Sequence, residues 1–240
     1  METRLPFRIL PQPDETTCGP TCLHGVYQYH GDPVALEQVI AEVPTLEGGG
    51  TLGVFLACHA LHRGYHATIY TYNLQVFDPT WFMTPDRDIA ERLRRQMAHK
   101  HDARLHKATR GYLEFLNCGG ELRFTDLTAS LIRGYLKRKL PILTGLSATY
   151  LYRSAREYGP NDDYDDVRGE PAGHFVVLSG YDAEARQVQV SDPLHPNPVS
   201  RTHEYAVNID RVIGSILLGI LTHDANLVII EPRRPRKAHR

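Results

Sequence analysis

The chain lacks any long apolar run. No stretch reaches the roughly 18 consecutive apolar residues of a membrane-spanning helix, and the longest candidate, residues 212–221, is too short and holds two glycines. Residues 1–10 contain no apolar core of signal-peptide length, and Pro6 interrupts them. An excess of one charge is also missing. The 27 Lys and Arg residues against 28 Asp and Glu leave a net charge of −1 and a pI near 6.9, so no overall field favours nucleic acid or a membrane surface. Cysteine is scarce: only positions 18, 22, 58 and 118 carry it among 240 residues, with no spacing of a disulfide framework. There is no internal repeat and no low-complexity tract. These absences point to a soluble, cytoplasmic protein with reduced thiols, in which a cysteine with special surroundings is more readily catalytic than structural.

What is present is ordinary globular material, 42% hydrophobic and 23% charged, in a chain long enough to bury a core without metal or disulfide staples. One domain over 1–240 is expected, with 85–125 as a helical insertion and 233–240, rich in Arg and Lys, as a basic solubilising tail.

Prolines 6, 11 and 13 leave 1–17 irregular. A helix is predicted from Cys18, with Pro20 in its first turn and Cys22, Leu23, Val26 and Tyr27 at helical spacing, ending at Gly31 and Pro33. Further helices are expected over 34–42, over 51–63 with Thr51 as its cap, over two segments in 86–118 broken near Arg104, from Thr125 or Asp126 to Lys139, and over 208–218. Strands are expected at 65–72, 142–146, 174–180, 186–192, 203–207 and 227–230, and residues 158–171 form an acidic loop. With helices first and a mostly antiparallel sheet last, the fold class is α+β.

Two segments carry chemistry. In Gln12-Pro-Asp-Glu-Thr-Thr-Cys18-Gly19-Pro20, the cysteine sits at a helix start. Unpaired N–H groups and the helix dipole favour a thiolate there, and thiolate is the attacking species. Gly19 leaves room for a substrate carbonyl. Gln12, six residues earlier, can aim its NH₂ at the point addressed by the Cys18 backbone N–H, forming an oxyanion hole. Cys22, one turn on, reads as core packing.

The second segment is Gly173-His174-Phe175-Val176-Val177-Leu178, an apolar strand headed by histidine, followed by an acidic turn and the alternating strand that ends Val190-Ser191-Asp192-Pro193. Antiparallel pairing about residue 183 brings Asp192 opposite His174. A carboxylate so placed holds an imidazole in one tautomer and stabilises its protonated form.

The ordered set Gln-x5-Cys-Gly-Pro, Gly-His-Phe-Val-Val-Leu and Val-Ser-Asp-Pro resembles the papain-like cysteine peptidase superfamily, and within it the double-glycine leader peptidases and their stand-alone bacterial relatives. The resemblance covers the first 30 residues and about 170–230; 85–125 matches poorly. It implies a papain-like fold, Cys18 as nucleophile, His174 as general base and acid, Asp192 as its orienter and Gln12 as oxyanion donor. No cofactor and no metal are implied, and the partner is a peptide or amide-containing substrate cleaved through a thioester. An acyl- or glutamyl-transferase using the same thioester, or a peptide-binding module without catalysis, are the alternatives.

Other clusters read more plainly. Cys58, His59 and His62 have metal-like spacing on one helix, but His66 lies beyond Gly64 in a strand and no carboxylate completes the set, so they read as a core cysteine with surface histidines. Asp162, Asp163, Asp165 and Asp166 do not meet the calcium-loop pattern and read as a solvated loop, or as a cleft rim favouring basic substrates. His195, His203 and His223 have no informative spacing, and Cys118 reads as packing.

Overall fold

The computed structural model describes residues 2–84, 88–222 and 224–233. His223 and positions 234–240 of the basic tail lie outside the described residues. The elements in chain order are β1 (Glu2–Arg4), α1 (Cys18–Tyr29), α2 (Leu36–Glu42), α3 (Gly53–His62), β2 (His66–Thr71), α4 (Ile89–His99), α5 (Ala103–Asn117), β3 (Glu121–Arg123) and α6 (Ala129–Lys137). There follow β4 (Ile142–Ser147), α7 (Ala148–Tyr152), β5 (Glu157–Tyr158), β6 (Asp163–Tyr164), β7 (Gly173–Asp182), β8 (Gln187–Ser191), β9 (Glu204–Asn208), α8 (Ile209–Leu218) and β10 (Asn226–Glu231).

The fold is α+β. One sheet runs in the order β3-β2-β10-β4-β7-β8-β9, with β1 added alongside β7. All its pairings are antiparallel except β2 with β3. Its central strands are near-continuous apolar runs because both faces are covered: every residue of β4 is buried, as are Asn226–Ile230 in β10. One buried cluster extends from Leu5 to Ile230. Helices and sheet do not separate by halves of the chain, since β2 and β3 come from between the early helices and complete one side of the sheet.

Residues α1, α2, α3, α5 and α4 form one run of touching helices, and α6, α7 and α8 a second group. The contact of α3 with α5 depends on Gly111. A Cβ there would come 2.7 Å from the Phe55 ring and 2.9 Å from Val54, so only glycine lets the two backbones approach this closely.

Several boundaries depart from expectation for local reasons. Residues 2–4, expected to be irregular, pair with β7 as an added strand, a segment too short for any alternation to show. Thr51 does not cap α3; its hydroxyl donates to the Pro44 carbonyl at 2.8 Å, and Leu52 stands at the cap position. The Asp224 carboxylate, far along the chain, instead accepts from the Gly53 backbone N–H. The helix expected from Thr125 or Asp126 begins at Ala129, because Thr128 takes the extended conformation and accepts from Leu131 N at 3.2 Å. The helical break expected near Arg104 falls just before α5, which Asp102 caps by accepting from Leu105 N at 2.6 Å. Within the acidic loop, β5 and β6 form a small two-stranded ribbon.

Candidate active site

The chain is turned into α1 by Asp14. Its side chain accepts from the Thr16 backbone N–H and hydroxyl, both at 2.8 Å, and its carbonyl accepts from the Thr17 hydroxyl at 3.1 Å. The Thr17 side chain is thereby kept from capping α1, which has no side-chain cap. The first-turn N–H groups remain unused within the helix, and Cys18 stands at that end, 8% exposed. Gly19 is packed tightly behind it: a Cβ would lie 2.6 Å from Thr51 and 3.2 Å from Phe175.

His174 is the second residue of β7, paired with Leu146 of β4, and Asp192 follows the last residue of β8. His174 Nε2–H donates to Asp192 Oδ1 at 2.8 Å. The direct hairpin register expected for this pair is not the one observed. The turn joins Asp182 to Gln187, and a bulge at Ser179 shifts the ladder, so Val177 faces Ser191 and Asp192 comes level with Val176. His174 and Val176 share a strand face, so the imidazole reaches Asp192 diagonally across the hairpin.

Asp192 is completely buried and accepts three further hydrogen bonds: from Tyr205 OH at 2.5 Å, Tyr152 OH at 2.8 Å and Leu194 N at 3.0 Å. Burial opposes its charge, but the imidazolium and these donors outweigh burial and hold its pKa down at about 2. Burial likewise opposes charge on His174, yet the Asp192 carboxylate and the neighbouring Cys18 sulfur carry it up to about 10. Burial, followed by the neighbouring carboxylate, raises both phenols, so Tyr152 and Tyr205 remain protonated donors. With Nε2 committed to Asp192, Nδ1 is the ring nitrogen left for Cys18.

Cys18 and His174 both line a cleft of about 560 Å³. Gly145, Leu146 and Phe175 also line it, as do Gly48, Gly49 and Gly50, all three with left-handed φ. Its charged groups are Glu15, Asp162, Glu170 and Asp224 against the single guanidinium of Arg104. Part of the acidic loop therefore forms cleft wall.

Gln12 lies on the loop before α1, and its backbone N–H donates to the Pro193 carbonyl at 2.9 Å, which ties it to the segment just after Asp192. Its carboxamide donates to the Asp14 carbonyl at 2.9 Å, while its oxygen is buried without a partner. Gln12 is not among the residues that line the cleft. Of the expected four, the structure brings Cys18, His174 and Asp192 together and places Gln12 against their supporting loops.

The other thiols stand apart. Cys22 is fully buried, donates to the Phe175 carbonyl at 3.3 Å and is pushed well up by burial. Cys58 is pushed up to about 12 by burial and donates to the Gly111 carbonyl at 3.6 Å. His59 is not a surface residue: it is buried between the Tyr27 hydroxyl at 2.7 Å and the Glu42 carboxylate at 2.9 Å, because its side of α3 faces α1 and α2. Cys118 lies 3.4 Å from the exposed His62 ring. Among the described residues, no group of three or more His, Cys, Asp or Glu is arranged to hold a metal ion.

Tyr152, Tyr205 and Asp224 escaped the sequence reading. Tyr205 had a usable cue, since it faces Val190 on the strand beside β8. Tyr152, on a five-residue helix, had none.

The fold is that of the papain-like cysteine peptidases. The chain belongs to the Peptidase_C39 like family, whose model matches residues 4–211. In fold it is similar to a C39-like peptidase from Bacillus anthracis, at 12% identity and a TM-score of 0.52, covering 98% of this chain and 100% of that one. Lower similarity extends to xylellain, a cysteine protease from Xylella fastidiosa (13% identity, 97% and 86% covered, TM-score 0.46). It extends equally to a double glycine motif protease from an AMS/PCAT transporter, solved with its leader peptide (13% identity, 96% and 95% covered, TM-score 0.46). No curated protein matches.

Proposed function

We propose that this protein cleaves a peptide or related amide bond through a thioester on Cys18. The observation that carries this reading is the shared cleft of Cys18 and His174, with the far nitrogen of the imidazole held by buried Asp192. Thiolate at Cys18 attacks the substrate carbonyl, and His174 protonates the leaving amine from Nδ1. The tetrahedral oxyanion faces the uncapped start of α1, where the Cys18 backbone N–H is one donor. Gln12 is the second donor in this reading, once its carboxamide leaves the Asp14 carbonyl and turns toward the cleft. Removal of a single such donor costs roughly 3–4 kcal/mol of barrier elsewhere. Water, deprotonated by His174, then clears the thioester. Asp192 keeps the ring oriented and its positive form stable throughout.

No helix among the described residues is long and apolar enough to cross a membrane. All four cysteines are free, which fits the reducing cytoplasm we assign to the protein.

The test is a peptide library digested with the protein and read by mass spectrometry, alongside a thiol-directed electrophile. Cleavage and labelling at Cys18, both lost in Cys18→Ala and both slowed in His174→Ala, are the expected result. Products joined to an added amine instead of water would assign acyl transfer. Labelling that ignores His174→Ala would overturn the pairing.

A further inference from the structure

A cavity of about 470 Å³ lies between the N-terminal segment and α1, and it shares no lining residue with the catalytic cleft. Residues from the segment 6–10 line it together with His24, Gln28 and Tyr29 of α1. Gly25 lets the segment lie this close to the helix, since a Cβ there would come 3.0 Å from the Phe7 ring and 3.3 Å from the Arg8 carbonyl. The Phe7 and Tyr29 rings pack with centroids 5.9 Å apart, and the Tyr29 hydroxyl donates to the Lys139 carbonyl at 3.0 Å. The cavity is thus framed by fixed groups, and its size is that of a small-molecule site.

His24 is the lining residue that is both polar and buried, at 6% exposed. Its Nδ1 is buried with no hydrogen-bond partner among the described residues. The Gln28 amide nitrogen donates to the Val34 carbonyl at 3.2 Å and lies 3.4 Å from His24 Nε2. An amide nitrogen only donates, so Nε2 accepts, and a neutral ring then carries its proton on Nδ1. The ring is neutral because burial pulls its pKa down more strongly than the Val34 carbonyl and Glu37 raise it. An N–H is therefore left in the wall without an acceptor, a costly state that an incoming acceptor relieves.

Arg8 supplies a charge at the same cavity. It is exposed and forms no ion pair among the described residues. Among the described residues no carboxylate lines the cavity, and the remaining lining of Pro6, Ile9, Leu10 and the Tyr29 ring is apolar.

We propose that this cavity binds a small organic carboxylate with a short apolar chain. One carboxylate oxygen accepts from His24 Nδ1–H and the other from the Arg8 guanidinium, while the chain lies against Ile9, Leu10 and the Tyr29 ring. Phosphate fits less well, because one N–H and one guanidinium leave its further oxygens facing apolar wall. A cationic ligand meets the Arg8 charge with nothing to offset it. The site is independent of any chemistry at Cys18.

The test titrates octanoate into the full-length protein, with octanol, octylamine and inorganic phosphate alongside, by calorimetry and by nitrogen NMR of the histidine rings. Before any addition, His24 should show a neutral ring protonated at Nδ1; protonation at Nε2 overturns the proposal. Octanoate should bind on the order of ten-fold tighter than octanol and should move the His24 Nδ1 signal. That advantage should vanish in Arg8→Gln, a surface substitution that leaves thermal unfolding unchanged. Octanol or octylamine binding as well as octanoate would reduce the cavity to an apolar pocket. Phosphate competing at equal concentration would reduce it to an anion site at Arg8. Either result overturns the proposal, as does no binding, a still His24 signal, or octanoate affinity that survives Arg8→Gln. Cys18→Ala should bind octanoate as the parent does; affinity lost there would place the ligand in the catalytic cleft and overturn the proposal.

Discussion

His174 and Asp192 meet at 2.8 Å although Asp192 stands level with Val176, not with His174. The diagonal reach is possible because side chains two apart on a strand share a face and lie close enough for a long or ring side chain to bridge. The bulge at Ser179 puts Asp192 level with Val176 instead of Val177, so the geometry of the pair depends on a backbone irregularity five residues from the histidine.

The support for this pair predicts the effects of Tyr205→Phe and Tyr152→Phe. Each removes a hydrogen bond to a buried carboxylate, worth about 1.5–3 kcal/mol. Both variants should unfold at lower denaturant, Tyr205→Phe more so, given its 2.5 Å bond against 2.8 Å. The pKa of Asp192, followed by NMR, should rise in both, since a donor that stabilises its anion is lost. Unfolding midpoints that drop with no change in the aspartate titration would show the tyrosines to be packing only.

The pH dependence of stability follows from the same pair. His174 is raised to about 10, above its unfolded value near 6.5, so its contribution is complete below about 6.5 and fades as pH climbs toward 10. Asp192 is lowered to about 2, so its contribution is complete above about 4 and fades as pH falls toward 2. These are two views of one interaction, which is intact between about pH 4 and 6.5. Melting temperatures across pH should show an alkaline decline in the parent that is flattened in His174→Gln. An identical decline in both proteins would place its origin elsewhere.

Asp224 gives the opposite sign. Burial raises its carboxyl to about 6 despite its bonds to Gly53 N–H and the Asn226 amide. Stability from this group is present below about 4 and lost as pH rises through 6. Asp224→Asn keeps an acceptor for Gly53 and removes the titration, so its stability relative to the parent should improve between pH 4 and 7 in urea unfolding. Asp224→Ala leaves the start of α3 without its cap and should lose about 1 kcal/mol at any pH in that range. Parallel pH profiles for parent and Asp224→Asn would refute the assignment.

Gly111→Ala sets two effects against each other. Helix propensity favours alanine by about 1 kcal/mol. The new methyl, 2.7 Å from Phe55 and 2.9 Å from Val54, forces α3 and α5 apart at about 1–3 kcal/mol. Packing wins, and the variant should unfold at lower urea than the parent. A stabilised variant would mean that the interhelical contact yields easily.

The α+β class, the helix starting at Cys18, and the strands that carry His174 and precede Asp192 were all legible in the sequence. Helix starts, apolar strands and turn residues act over a few positions, and that range is what a sequence shows. Where reading failed, the cause lay at longer range. Asp224 caps a helix whose own flanking residues offer nothing, and the hairpin turns between 184 and 185 instead of at 183, the bulge at Ser179 recovering only one position. His59 looked solvent-facing until α1 and α2 closed over it. The short α7 carries Tyr152 to Asp192 with no pattern to announce it.

By itself, then, the amino-acid order determined which residues could do chemistry and which local elements hold them, because propensity and periodicity are written into neighbouring side chains. Only the tertiary structure decided that Asp192 has four donors and that Cys18 opens on a cleft it shares with His174. Those depend on burial and on distances between segments far apart in the chain, and such quantities exist only once the chain has packed.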